Sequence, residues 1–130
     1  MPRLILGHTT DSSIVIWVRA SDRWPIAFVD VLDESGNQTG TTEVIATKQS
    51  EFWTATTEWT GLRPNTSYKV KVAFGKEKSS KSSDRIRDAY AEGKFKTFQA
   101  PDSDTDFSFV LGSCNLHSLG IFEKPDTAWI

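Results

Sequence analysis

The stretch GLRPNTSYKVKV at residues 61–72 decides the fold, because it joins a turn of fixed geometry to a strand whose inward face is evident. Pro64 fixes its own φ angle and has no N–H to donate, so the chain turns there and cannot continue as a central strand. After the turn, apolar residues occupy every second position, which is the period of a half-buried antiparallel strand. The apolar set is Tyr68, Val70, Val72 and Phe74.

Tyr68 lies just past the turn Leu-x-Pro-x-Thr, two residues after Thr66. A tyrosine in this place can bury its ring and return its hydroxyl to the backbone a few residues upstream, an arrangement called the tyrosine corner. The corner is typical of Greek-key sandwiches, where it ties one sheet to the other. We therefore predict an all-β Greek-key sandwich.

The rest of the chain supplies further strands in front of and behind this corner. Runs of β-branched and apolar residues separated by turn residues predict strands at 3–7, 13–19, 26–32, 42–47, 52–60 and 94–98. The long segment between the last two sandwich strands, GKEKSSKSSDRIRDAYAEG at 75–93, carries no strand pattern. Its basic residues are diluted by acidic ones, so it is either a solvated loop or a binding loop.

The predicted strand at 13–19 is apolar on both faces. Val15 and Trp17 face one way, and Ile14, Ile16 and Val18 face the other. The second set is either covered by loops or forms an outer face that meets another domain.

Length and charge limit the function classes. The 130 residues are enough for one domain, and a net charge of −2 with a pI near 5.6 gives no overall field for nucleic acid or an anionic membrane. No apolar run approaches the ~20 residues of a membrane span, and no signal-peptide pattern precedes the first strand. We therefore expect a cytoplasmic protein, with a periplasmic or secreted parent left open. A single cysteine, Cys114, excludes an internal disulfide.

The last thirty residues differ from the sandwich. Residues 99–106 are polar and acidic with one proline, as in a linker, whereas residues 107–111 are apolar at nearly every position and end in Gly-Ser-Cys-Asn. Such a run resembles a buried parallel strand that reaches a site at its carboxyl end. We expect the chain to be the amino-terminal piece of a longer protein, in which this strand opens a second domain.

Four segments in this order resemble the amino-terminal region of alkaline phosphatase D-like (PhoD-like) metallophosphatases. They are GHTTDSSIVIW (7–17), LRPNTSYKVKV (62–72), GKFKTFQAP (93–101) and FSFVLGSC (107–114). The resemblance implies a fibronectin type III-like sandwich at 1–98, a linker at 99–106 and the truncated start of an α/β metallophosphatase domain at 107–130. It further implies a parent enzyme that hydrolyses phosphate mono- or diesters, with the missing catalytic domain as this chain's partner.

The resemblance makes Cys114 a thiolate ligand to iron, in a metal centre that also holds calcium. Coordination deprotonates a thiol, and the end of a strand is a rigid mount for it. The alternative role for Cys114 is that of a small buried apolar residue. His117 lies one residue beyond the histidine of the Asp-x-His pattern of common metallophosphatases, so it receives no role.

The chain offers no catalytic residues of its own. Two histidines and one cysteine cannot build a binuclear centre, and no nucleophile and base stand out as a pair. We expect this chain alone to be inert and to bind no metal, as the accessory domain of a phosphoesterase. The alternative is a free-standing fibronectin type III-like module that binds a protein or carbohydrate through the 75–93 loop or the Ile14, Ile16 and Val18 face.

Overall fold

The computed structural model describes residues 3–77, 90–104 and 106–113. These residues form seven strands and one short 3-10 turn, and none of them belongs to a helix with the length and apolar character needed to cross a membrane. The elements are β1 (Arg3–Thr9), β2 (Ile14–Arg19), β3 (Ile26–Leu32), β4 (Glu43–Ala46), the 3-10 turn (Gln49–Glu51), β5 (Thr54–Trp59), β6 (Ser67–Gly75) and β7 (Tyr90–Lys96).

The strands form two antiparallel sheets. The three-stranded sheet has the order β1-β2-β5, and the four-stranded sheet has the order β4-β3-β6-β7. One core is built from residues of both sheets, so the two sheets pack face to face. The prediction of an all-β chain with two antiparallel sheets is confirmed.

The alternation predicted for β6 places its apolar residues in this core. Val70, Val72 and Phe74 are fully buried, and Tyr68 is 6% exposed. The polar residues between them face outward, in register with β3 and β7. Each fully buried side chain of this size contributes about 1.5–3 kcal/mol relative to the exposed state, so β6 is a main source of the sandwich's stability.

Tyr68 makes the predicted contact with the backbone upstream. Its hydroxyl accepts a hydrogen bond from the N–H of Arg63 at 2.8 Å, while its ring stacks on Phe95 with centroids 5.5 Å apart. The neighbouring Leu62 is buried, and its N–H bonds to the carbonyl of Ser12 in the turn before β2. The corner therefore joins the four-stranded sheet, through its own turn, to the three-stranded sheet.

One predicted surface is wrong. Ile14, Ile16 and Val18 are fully buried, because β2 is the middle strand of its sheet and this face lies against the four-stranded sheet. They are neither covered by loops nor available to a partner. The outer face of β2 is instead the one that carries Val15 and Trp17, both partly exposed.

Two strand bounds also differ from the prediction. β7 begins at Tyr90, so residues 90–93 of the predicted loop belong to a strand, and it ends at Lys96. Its inward residues there are small because β1 packs close: a Cβ on Gly93 would lie 3.0 Å from the Cδ1 of Leu6. β5 begins only at Thr54, since Phe52 and Trp53 have φ angles of 56° and 62°, in the left-handed region that ends an extended strand.

Candidate functional site

The candidate site is the end of the sandwich where the chain leaves β7. Thr97, the first residue after β7, is only 3% exposed. Its hydroxyl donates a hydrogen bond to the carbonyl of Arg63 at 2.5 Å and accepts one from the N–H of Thr66 at 3.0 Å. The backbone N–H of Thr97 bonds in turn to the carbonyl of Thr66 at 3.0 Å. Thr97 therefore pairs with the Arg63 carbonyl and with the N–H and carbonyl of Thr66. These groups flank Pro64, which has no N–H and interrupts the regular hydrogen bonding of a strand.

The next residue, Phe98, is held from both sides. Its carbonyl accepts a hydrogen bond from the N–H of Asn65 at 2.8 Å, and its N–H donates to the carbonyl of Thr10 at 3.1 Å. Thr10 belongs to the β1–β2 turn, and its hydroxyl is hydrogen-bonded to that of Ser13 at 2.6 Å. The exit of the chain is thus fixed to turns of both sheets, although the Phe98 ring is 60% exposed.

A depression of about 470 Å³ lies beside this exit. Its lining includes Lys96, Phe98, Gln99 and Phe107. The Oε1 atom of Gln99 is buried and accepts no hydrogen bond from the described residues. A buried acceptor without a donor costs about 1–3 kcal/mol, so the Gln99 side chain is a local polar cost at this end of the sandwich.

Residues 106–113 continue from the exit without regular secondary structure. The rings of Phe107 and Phe109 stack on each other with centroids 6.4 Å apart, but both remain more than 70% exposed. Val110 and Leu111 are 91% and 85% exposed. Four of the five residues at 107–111 are large, apolar and exposed, and an exposed apolar patch of this kind marks an interaction site.

The predicted metal ligand cannot be placed on this surface. Cys114 and His117 lie outside the described residues, so the ligand role of Cys114 stays a prediction. Within residues 3–77, 90–104 and 106–113, no three His, Cys, Asp or Glu side chains come together in a group that could hold a metal ion. The described part of the chain therefore does not test the predicted metal site.

A second depression, of about 600 Å³, lies on the outer face of the four-stranded sheet. Its lining includes four lysines, which alternate with inward residues along β6 and β7: Lys69, Lys71, Lys94 and Lys96. Lys69 pairs with Glu92 at 3.2 Å, and both side chains are about one-third exposed. Exposed pairs of this kind contribute about 0–1 kcal/mol, so the lysines mainly keep this face hydrated.

Glu92 also accepts a hydrogen bond from the phenol of Tyr90. This bond, together with that from Lys69, holds the pKa of Glu92 below its usual value, because both favour the ionised carboxylate. The same bond raises the pKa of Tyr90, since the phenol donates to a carboxylate. This group was not predicted from the sequence, because the inward residues between its members, Ala91 and Gly93, are too small to mark a strand.

The predicted loop at 75–93 is described only at its two ends. At the first of these, Lys76 places its Nζ 5.2 Å from the ring centroid of Trp24, and the guanidinium carbon of Arg23 lies 5.4 Å from the same ring. Cation–π contacts at this range contribute about 0.5–1 kcal/mol at exposed sites. Residues 78–89 lie outside the described part, so a binding role for this loop stays a prediction.

Comparison with known proteins shows a likeness of fold. No protein-family model and no curated protein matches the chain. Among solved structures, the chain is similar to a structure of PhoD, with 22% sequence identity and a TM-score of 0.59 over 78% of this chain. The match covers 20% of the PhoD chain, so this chain spans about one fifth of that protein's length. At this identity the likeness shows the fold alone.

Proposed function

We propose that the chain is the amino-terminal accessory part of a metal-dependent phosphoesterase of the alkaline phosphatase D type. The observation that carries the proposal is the exposed apolar run at 107–111, which follows an exit fixed to both sheets. A sandwich whose last strand is β7 does not need an exposed apolar run after that strand. The fold likeness to PhoD and the order of the four sequence segments support the same assignment.

In this proposal the sandwich is of the fibronectin type III-like Greek-key kind and spans residues 1–98. The arrangement of seven strands in sheets of three and four, and the Tyr68 hydroxyl bonded to the Arg63 backbone, support it. Residues 99–106 are the linker, and residues 107–130 begin the metallophosphatase domain. The role of the sandwich is that of a rigid body that packs on the catalytic domain.

Iron and calcium belong to the parent enzyme in this proposal. The described residues do not supply a ligand set for either ion, so no step of the reaction is derived from them. Cys114 would contribute one thiolate, and the remaining ligands would come from the catalytic domain. Phosphate monoesters or diesters would be the substrates, and the 130-residue chain alone would hydrolyse neither.

The test is to express the whole reading frame that contains this chain and assay it. We expect hydrolysis of a chromogenic phosphodiester that depends on iron and calcium. Cys114→Ser should lose bound iron and activity together, whereas His117→Ala, a nearby potential ligand without an assigned role, should keep both. Iron content equal to wild type in Cys114→Ser would contradict the ligand role.

The 130-residue chain provides the second half of the test. It should show no turnover with the same substrate and both metals; turnover that survives repurification and disappears in Cys114→Ala would contradict the inert role. A reading frame that stops after Ile130 would favour the competing function, a free-standing binding module. That module would depend on the 75–93 loop, because the Ile14, Ile16 and Val18 face is buried.

A further inference from the structure

The outer face of the three-stranded sheet carries an apolar band. Ile5 on β1 pairs directly with Trp17 on β2, and Trp17 pairs with Thr56 on β5, so the three lie in one row across the sheet. Val15, two residues before Trp17, lies on the same face. Ile5 is 56% exposed, and Val15 and Trp17 are partly exposed. This face therefore presents a tryptophan and two β-branched side chains to the surroundings.

Two arginines lie beside this band. Arg3 pairs directly with Arg19 across β1 and β2. This pair lies two rows from the pair of Ile5 and Trp17, on the same face of the sheet. Both are exposed, and neither forms an ion pair within the described part of the chain. Like charges directly opposite each other in a sheet are destabilising. A carboxylate brought by a partner would remove this repulsion and could accept two hydrogen bonds from a guanidinium group.

The two outer faces of the sandwich differ in chemistry. Lysines alternate along β6 and β7 on the four-stranded sheet, and lysine is depleted in protein interfaces. Tryptophan and arginine are enriched at the centres of interfaces, where they carry most of the binding energy. The composition of the three-stranded sheet's outer face is therefore that of a contact surface, and that of the lysine-bearing face is not.

The exit of the chain lies at one end of the same face. Phe98 is bonded to Thr10, in the turn before β2. Trp17 lies three residues beyond the first residue of β2, which is roughly 10 Å along the strand at 3.3 Å per residue. The eight residues at 99–106 can span at most about 29 Å when fully extended. A body attached at residue 107 can therefore reach Trp17.

We propose that the Trp17 face, formed by Arg3, Ile5, Val15, Trp17 and Arg19, docks on the catalytic domain of the same polypeptide. The inference rests on the proposed function. Its occupant is a protein surface that places apolar side chains opposite Trp17 and carboxylates opposite the two arginines. The match covers 20% of the PhoD chain, and in the proposed function the counterpart of the remainder provides that surface.

A second copy of the chain fits this face less well. On the outer face of the three-stranded sheet, the strands carry a carboxylate at Glu58. Glu58 pairs with Val15, at the end of β2 away from Arg19. A copy related by a two-fold axis would bring one carboxylate to each pair of arginines. One charge of each pair would then be buried without a partner, which is costly.

Hydroxyl-radical labelling, read by mass spectrometry, tests the proposal. The full protein encoded by the reading frame is compared with the 130-residue chain. Labelling of Trp17 and Ile5 should fall about tenfold in the full protein, because the centre of an interface excludes water. Labelling of Tyr90, which is 46% exposed on the other outer face, should stay within a factor of about two, as no contact is proposed there.

A matched pair of charge reversals adds a second readout. In the full protein, Arg19→Glu should restore Trp17 labelling and speed proteolysis within residues 99–106, because it repels the proposed carboxylates. Lys94→Glu, on the lysine-bearing face, should change neither. Both side chains are exposed, so neither variant disturbs the core.

Each outcome decides the inference. Equal Trp17 labelling in both proteins, with phosphodiester hydrolysis intact, would refute the docking face and leave the proposed function standing. Protection of Trp17 in a full protein without phosphoesterase activity would support the docking face and refute the function. Protection that appears in the 130-residue chain as its concentration rises would assign the face to a second copy instead. A reading frame that ends after Ile130 removes the occupant and overturns the inference.

Discussion

Replacing Tyr68 with phenylalanine tests the contact that ties the two sheets together. The substitution removes one oxygen atom and leaves the ring, so the stacking on Phe95 and the burial of the side chain are kept. What is lost is the acceptor for the N–H of Arg63, 2.8 Å away. The change in the free energy of unfolding therefore reports this one hydrogen bond.

The magnitude depends on whether water replaces the lost acceptor. A buried N–H left unpaired costs about 1–3 kcal/mol, and a bond exchanged with water costs about 0.5–1.5 kcal/mol. Tyr68 is 6% exposed but Arg63 is an exposed residue, so water can reach the N–H in part. We expect Tyr68→Phe to lower the free energy of unfolding by about 1–2 kcal/mol. At roughly 4–8 °C per kcal/mol for a domain of this size, the Tm falls by roughly 4–16 °C.

Urea unfolding followed by tryptophan fluorescence measures this loss as a shift of the midpoint at constant m value. Tyr90→Phe is the matched control, because it removes the same atom from an exposed tyrosine and should change stability by less than about 0.5 kcal/mol. The reasoning is refuted if the two variants unfold at the same urea concentration. A changed m value would instead report an altered unfolded state.

Three further predictions concern stability. Phe74→Ala, in the core, should lower the free energy of unfolding by about 3–5 kcal/mol, whereas Phe52→Ala, 76% exposed, should cost less than about 0.5 kcal/mol; equal urea midpoints would contradict the assigned core. Gly93→Val should destabilise by about 1–3 kcal/mol through collision with Leu6, and Leu6→Ala in the same chain should recover part of that loss in a thermal melt. The folded pKa of Glu92 lies below its unfolded value near 4.5, so the carboxylate's contribution to stability is complete above that pH and is lost as the pH falls through the lowered pKa. Glu92→Gln should therefore reduce the dependence of the free energy of unfolding on pH in that acid range only. An unchanged slope of stability against pH would contradict the assigned contacts of Glu92.

The tyrosine corner and the strand alternation could be predicted because each depends on a short stretch of sequence. Pro64 and Tyr68 define the turn and its hydrogen bond by themselves, and the period of two in β6 needs no distant partner to be recognised. The orientation of β2 could not be predicted in this way. Both of its faces are apolar, and only its position between β1 and β5 decides that Ile16 faces the core and Trp17 faces outward.

The start of β7 was missed for a related reason. Ala91 and Gly93 face inward but are small, so the segment lacks the alternation of large apolar residues that marks a strand. Their size is set by β1, which lies more than 80 residues earlier in the chain and brings Leu6 against Gly93. The junction has the same origin: Thr97 gains its role from Arg63 and Thr66, which a local pattern does not reveal.

The anchoring of Phe98 has a mechanical consequence. Tension applied to residues beyond it is first borne by its two backbone hydrogen bonds, to Asn65 and to Thr10, and passes from there into both sheets at once. Residues 97 and 98 therefore move with the sandwich, and the chain leaves it only after Phe98 and not at the end of β7.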